Sequence, residues 1–204
     1  MSQIKLLHSG GNGVIIAAPD SNPASDRTLK LPSDGDGTIL TTNSSVGKII
    51  QVKSVTKTDT FSSGESAGNV SGPAISLNFT ATSTSNKLLI MANLLCGLSH
   101  GGERVGIILY AGGSVLSGAV GDSNGTSNRL ISMGGFNDQD NSYVCVSHSH
   151  LFTPSNTNQI TYDYRLHNGR GATGTVYLNR QSTSNGGSEI GLGTSTITIM
   201  EIAG

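Results

Sequence analysis

The sequence predicts an all-β protein: a short β-rich N-terminal segment over residues 1–45, then a ten-stranded antiparallel jelly-roll sandwich over residues 46–204. Three observations predict it. Apolar residues recur at every second position in brief runs bounded by Ser, Thr, Asn and Gly, as strands and tight turns require. Ser (29), Thr (20) and Gly (28) crowd the chain, while charged residues make up 12%, about half the roughly 25% of an ordinary domain. Ser and Thr compete for backbone hydrogen bonds and Gly adds chain entropy, so this composition disfavours helices. Turn signals then divide residues 46–204 into about ten short runs, the spacing of a sandwich or jelly roll. No helix separates them, which excludes a parallel α/β sheet.

Within residues 1–45, Gly13-Val-Ile-Ile-Ala-Ala-Pro19 reads as a strand ended by proline, and Thr28-Leu-Lys-Leu-Pro32 as another. Asp20-Ser-Asn-Pro-Ala-Ser-Asp26 between them is turn chemistry. Asp34-Gly-Asp-Gly37 then turns into Thr38-Ile-Leu-Thr-Thr42. Two or three isolated strands are marginal in water. This segment is therefore expected to be ordered by partners, most simply by copies of itself.

From Ile49 onward, Ile50, Val52, Ser54 and Thr56 alternate with Gln51, Lys53, Val55 and Lys57, a half-exposed strand. Ala74 to Phe79 follows a Gly-Pro break. Lys87 to Cys96 and Thr194 to Ile202 are the most apolar runs and are read as the two central strands. The apolar residues of Leu88 to Leu98 also suit a buried helix, but the length and the Ser-, Asn- and Gly-rich boundaries favour a strand. Arg104 to Tyr110 and Ser114 to Ala119 flank Ala111-Gly-Gly113, a hairpin signal. Arg129 to Met133, Ser142 to His150, Gln159 to His167 and Gly174 to Arg180 complete the set. Tyr162 and Tyr164 share a face with Ile160 and Leu166, so they belong to the core or to a subunit contact.

The motifs Ala18-Pro19, Arg27-Thr-Leu-Lys-Leu-Pro32 and Gly37-Thr-Ile-Leu-Thr41 resemble a pattern of tail-fibre-like virion proteins of bacteriophages, marine phages above all. Gly47-Lys-Ile-Ile-Gln-Val-Lys53, the run beginning at Ser85 and the Thr-Ile-Thr-Ile-Met-Glu-Ile ending are similar to the same group. By strand count and closing strand, the second domain also resembles the jelly rolls of the tumour necrosis factor and complement globular-head families. These resemblances imply a homotrimer in the virion. Residues 1–45 would attach to other tail or capsid proteins, and the jelly roll would touch a host-surface glycan or protein. A capsid decoration or head fibre of the same fold is the alternative reading, and a free lectin-like or cytokine-like module is a third.

Chemistry is sparse. The net charge of −1 argues against nucleic acid or an anionic membrane as partner. No apolar run approaches the roughly 20 residues of a membrane span, and Met1 to His8 does not read as a secretory signal. Four glutamates and nine aspartates, mostly in turns, form no pair or triad to nominate as catalytic, so an enzyme is not expected. Cys96 and Cys145 are too few for a disulfide scaffold and are read as two small buried thiols, with a structural bridge as the second reading.

His148-Ser-His150 is the sharpest local feature, since alternate residues of a strand share a face. The resemblance to trimeric phage fibres that hold iron at His-x-His makes His148 and His150 candidate ligands of a transition metal on a threefold axis. A pH-sensitive contact without metal, or two ordinary polar residues, are the other readings. Asp122-Ser-Asn-Gly125 and Asp138-Gln-Asp-Asn141 place oxygens at alternate positions, as calcium loops do, though Asx turns use the same residues. For ligand contact the loop residues Phe136, Asn137, Asp138 and Arg170 are the candidates.

Overall fold

The computed structural model describes residues 3–7, 9–11, 13–17, 48–100, 103–134, 143–182 and 191–204. The chain divides into two units, Met1–Asn43 and Ser44–Gly204. In the first, β1 (Gln3–Leu7) pairs antiparallel with β2 (Gly13–Ala17), Leu7 opposite Gly13. β2 is the anticipated strand, two residues shorter, whereas β1 was not anticipated. The strands expected at Thr28 to Pro32 and Thr38 to Thr42 lie outside the described residues.

The second unit is a sandwich of two antiparallel sheets. Its strands are β3 (Ile49–Lys57), β4 (Phe61–Glu65), β5 (Val70–Thr80), β6 (Lys87–Leu98), β7 (Val105–Ala111), β8 (Ser114–Val115), β9 (Ser132–Gly134), β10 (Val144–Phe152), β11 (Gln159–Asn168), β12 (Gly174–Leu178) and β13 (Ser195–Ile202). One sheet runs β3-β13-β6-β10, with β12 and β4 continuing beside β6; the other runs β5-β11-β7, with β8 and β9 on the outer edge of β7. This interleaving of sequentially distant strands between two sheets is jelly-roll connectivity. Ile90 and Leu94 of β6, Ile197 and Ile199 of β13, Leu109 of β7 and Tyr164 and Leu166 of β11 meet in one fully buried core. Each lies at an alternate position of its strand, so the period-two reading put the correct residues inside.

β6 is the strand the sheet is built on. One edge pairs with β10 over nine residues, from Val144 opposite Cys96 to Phe152 opposite Leu88. The other edge is shared: Lys87 to Asn93 pair with β13, and Cys96 to Leu98 pair with β12. Leu95 sits at the fork, where neither strand supplies a ladder partner. There its N–H donates to Ser195 Oγ at 3.0 Å and its carbonyl accepts from Asn179 N at 2.8 Å. Ser195 Oγ in turn donates to Asn179 Oδ1 at 2.6 Å, and Asn179 Nδ2 donates to the carbonyls of Lys57 and Asp59. Asn179 has φ 63°, a left-handed conformation that Asn tolerates better than most residues. Two fully buried polar side chains thus close a gap that would otherwise strand backbone groups away from water.

A second polar knot ties the far end. Glu201 follows Ile197 and Ile199 on the buried face of β13 and is itself fully buried. Its Oε1 accepts from Thr82 N, Thr82 Oγ1 and Asn86 Nδ2 at 2.6 to 2.8 Å, and its Oε2 accepts from Gln51 Nε2 at 2.6 Å. Burial works against the charge, but the hydrogen bonds from Asn86, Gln51 and Thr82 outweigh it and hold the carboxyl down at about 2. The carboxylate therefore stays ionised inside the fold and fastens the β5–β6 turn to β13 and β3.

Several details differ from the sequence reading. The Gly112-Gly113 turn is as anticipated, with both glycines at positive φ, the geometry of a type I′ hairpin. The strand after it stops at Val115, and Ser117–Ala119 forms a 3₁₀ turn instead. Of the next run, Arg129 to Met133, only Ser132 and Met133 are strand, which continues to Gly134. β4 was not anticipated at all, because Phe61 is its sole large apolar residue. Cys96 is buried but Cys145 is exposed, correcting the reading of two buried thiols. Cys145 is out of phase with Val144 and Val146, so it faces solvent on the opposite side of the sheet from Cys96, and both thiols are free.

The two polar knots can be tested separately by urea unfolding. Asn179→Ala is expected to cost about 2–3 kcal/mol, since it leaves Ser195 Oγ and two carbonyls without this partner. Asn179→Gly loses the same hydrogen bonds but tolerates the left-handed backbone, so it should be milder by about 1 kcal/mol. Glu201→Gln sets an amide donor against donors and should cost about 2 kcal/mol at neutral pH. The unfolded chain protonates Glu201 near 4.5 and the fold only near 2, so its contribution is complete above pH 4.5 and is lost as pH falls to 2. Glu201→Gln should flatten that acid limb.

Candidate functional site

β10 is an edge strand whose inward face carries Val144, Val146, His148, His150 and Phe152, in register with the core residues of β6. The alternation that joins the two histidines therefore also turns them into the sandwich, beside Ala92 and Ile90. The rings form a ladder. His148 and His150 stack with centroids 6.0 Å apart, His150 and Phe152 stack at 5.6 Å, and Phe152 tilts against Tyr162 at 5.8 Å. His148 Nδ1 lies 2.7 Å from Tyr164 Oη, a hydrogen bond whichever of the two atoms carries the proton.

Burial, with the neighbouring His150 adding to it, lowers the His148 pKa to about 4. Burial likewise raises Tyr164 above the ordinary phenol range. At neutral pH the contact is thus a neutral imidazole on a protonated phenol. As metal ligands, the two histidines supply two imidazoles, one of whose nitrogens already serves Tyr164. Among the described residues no group of three or more His, Cys, Asp or Glu side chains is placed to hold an ion. The rings point toward the other sheet, where His148 meets Tyr164 and Phe152 meets Tyr162.

Of the candidate ligand contacts, Phe136, Asn137 and Asp138 lie outside the described residues, as does Asp138 to Asn141 as a calcium loop. Arg170 is described, in the turn between β11 and β12. Its Nη1 donates to Thr173 O at 2.8 Å and lies within 3.0 Å of both ring nitrogens of His100, and its Nε is 3.7 Å from Glu103 Oε1. His100 Nδ1 also lies 2.9 Å from Ser99 Oγ. Two connections, β6–β7 and β11–β12, thus bring Ser99, His100, Glu103, Arg170 and Thr173 together at one end of the sandwich.

The backbone beneath is fixed by fully buried Asn168. Its Nδ2 donates to the carbonyls of Glu65, Ser66 and Ala172, and its Oδ1 accepts from Arg170 N at 3.0 Å. Of this cluster the sequence reading nominated Arg170 alone. His100 and Glu103 carried only a weak signal, as polar residues in a Gly-rich break that ends a core strand.

The outer face of the second sheet holds a further polar group. Asp163, Arg165 and His167 face away from the core, yet Asp163 and His167 are buried. Arg165 Nε donates to Asp163 Oδ1 at 2.7 Å and the guanidinium stacks 3.8 Å over the Tyr110 ring. The β8–β9 connection covers His167. Asn128 Nδ2 bridges His167 Nε2 and Gly68 O at 2.9 Å each, and Leu130 fits over Gly106, where a Cβ would meet it at 2.7 Å.

No family model and no curated protein matches the chain. Among solved structures it is similar to the VP2 subviral particle of infectious bursal disease virus, at 14% identity and a TM-score of 0.40, over 76% of this chain and 37% of that one. The Gx strain of the same virus gives 17% identity and a TM-score of 0.39, again over 76% and 37%. The Gt strain gives 16% identity and a TM-score of 0.42, over 95% and 48%. The chain spans less than half the length of each of these chains.

The His148–Tyr164 contact makes stability depend on pH in a definite direction. The unfolded chain takes up a proton at His148 near pH 6.5 and the fold only near 4, so protons favour unfolding across that window. Stability from this group should be complete above pH 6.5 and lost as pH falls to 4. His167, also lowered by burial, adds in the same sense. His148→Gln keeps a hydrogen-bonding group near Tyr164 Oη and should remove part of this slope in thermal unfolding scans. Tyr164→Phe should cost about 1–2 kcal/mol without removing it.

Proposed function

We propose that the chain is a structural and adhesive virion protein, a homotrimeric subunit of a phage tail fibre or fibre tip. Residues 1–45 attach it to other virion proteins, and the jelly roll binds a host-surface glycan or protein. The observation that carries this reading is the division after Asn43, which sets an N-terminal unit apart from a jelly roll with a polar loop cluster at one end. The sequence motifs between Ala18 and Thr41 that resemble phage fibre proteins fall in that N-terminal unit.

The Ser99, His100, Glu103, Arg170 and Thr173 cluster is suited to a polyhydroxylated ligand. It offers donors and acceptors on short, braced turns, with Arg170 already oriented by Asn168 and Thr173. Bracing lowers the ordering cost that binding would otherwise incur. Sites of this kind are individually weak, and three held together on one assembly gain avidity without new contacts.

A glycan array and adsorption to intact bacteria test the proposal. The assembled protein should bind, and Arg170→Ala should weaken binding at least about tenfold, the effect of losing a charge-assisted hydrogen bond. Retained binding in Arg170→Ala would move the site elsewhere on the jelly roll. No binding to any glycan or cell would defeat the adhesive reading. Immunogold labelling of virions with an antibody to residues 60–204 then separates a tail location from a capsid one.

A further inference from the structure

We infer that copies of this chain associate through the outward face of the β3-β13-β6-β10 sheet. The inference rests on the assembly proposed above and names the surface that makes it. Strand register supplies the main observation. Val52 stands opposite Met200, Met200 opposite Leu89, and Leu89 opposite Leu151, so one apolar row crosses all four strands. Its two ends are exposed, Val52 at 51% and Leu151 at 53%, and Met91 and Ile202 extend it along the central strands. An antiparallel sheet with one solvated face ordinarily alternates polar residues outward, so a row of this kind is out of place on a free surface.

The occupant is a second copy because of charge and size. Among the outward positions of the four strands Lys87 alone is charged, at a corner, where its Nζ donates to Thr153 Oγ1 at 2.6 Å. Thr, Ser and Asn fill most of the remainder, with Cys145, Leu95 and Gly97 among them, so copies of this face meet without like-charge repulsion. Four strands about 4.8 Å apart and four outward positions about 6.7 Å apart give roughly 500 Å² for each copy to turn toward a common axis. Three copies then bury about 1,500 Å² in total, above the roughly 1,000 Å² that a specific contact should clear. Copies turning this face toward a common axis bury the row and leave the Arg170 loops at one end free.

Sedimentation at micromolar concentration tests the inference. The wild-type protein should sediment at a multiple of 20.9 kDa, three for the proposed trimer, and Leu151→Asp should reduce it to 20.9 kDa with an unchanged far-UV circular dichroism spectrum. Leu151 is more than half exposed, so the fold does not depend on it. If Leu151→Asp does unfold the protein, Val52→Thr with Leu151→Thr keeps strand-favouring side chains and should weaken association at least about tenfold. A variant that assembles like the wild type overturns this face as the interface and leaves the assembly proposal standing. A monomeric wild type overturns both.

Discussion

Everything in the sandwich depends on the backbone hydrogen bonds of one strand. A twelve-residue strand has two edges to satisfy, and β6 uses three neighbours to do it. β10 takes one edge whole, while β13 and β12 divide the other end to end. Because β13 continues to β3 and β12 to β4, that division opens the sheet into two arms. A forked sheet leaves backbone groups at the crotch without a ladder partner, and a buried group left unpaired there is costly. Ser195 and Asn179 stand there for that reason. The left-handed backbone of Asn179 turns the chain out of β12 while its side chain bonds Ser195 of β13 and the carbonyls of Lys57 and Asp59 at the end of β3.

The same logic explains why so charge-poor a chain buries Glu201. An ionised carboxylate is costly inside a protein unless its oxygens are satisfied. Here four neutral hydrogen bonds of 2.6 to 2.8 Å satisfy them, and no cation is involved. The product is rigidity: the β5–β6 turn, the last strand and the first strand of the sandwich share one anchor. Buried Asn168 does the equivalent at the opposite end, beneath the Arg170 cluster. Positioning in this protein comes from amide and carboxylate side chains bonded to backbone more than from salt bridges.

How much of this was legible beforehand follows from what parity can and cannot carry. β6, β11 and β13 announce themselves because their inward residues are large, apolar and strictly alternate. The same parity placed Cys145 opposite in phase to Val144 and Val146, and Glu201 in phase with Ile197 and Ile199, so an outward thiol and an inward carboxylate were both readable. It also placed His148 and His150 on an apolar face, where they lie. β4 was not readable, because Phe61-Ser-Ser-Gly-Glu65 is held by backbone pairing to β12 and carries almost no apolar signal. Nor was Asn179, since nothing in Leu178-Asn-Arg180 marks a left-handed residue. The burial of His167 was hidden too, because it depends on a connection from elsewhere in the chain folding over a strand's outer face.

That last case bears on the two outer faces, which the fold treats differently. On the β5-β11-β7 sheet, the β8–β9 connection lies over His167 and Gly106, and Ile108 is 95% buried although it points away from the core. The chain thus lays its own loop over part of that face. On the β3-β13-β6-β10 sheet no described loop does the same for Val52 or Leu151, which stay more than half exposed. A monomer built for solubility would place Thr or Lys at those two positions at little cost, as it does at Thr198 and Lys87. Large aliphatic residues at both ends of a row four strands wide make this face the one the proposed assembly would bury.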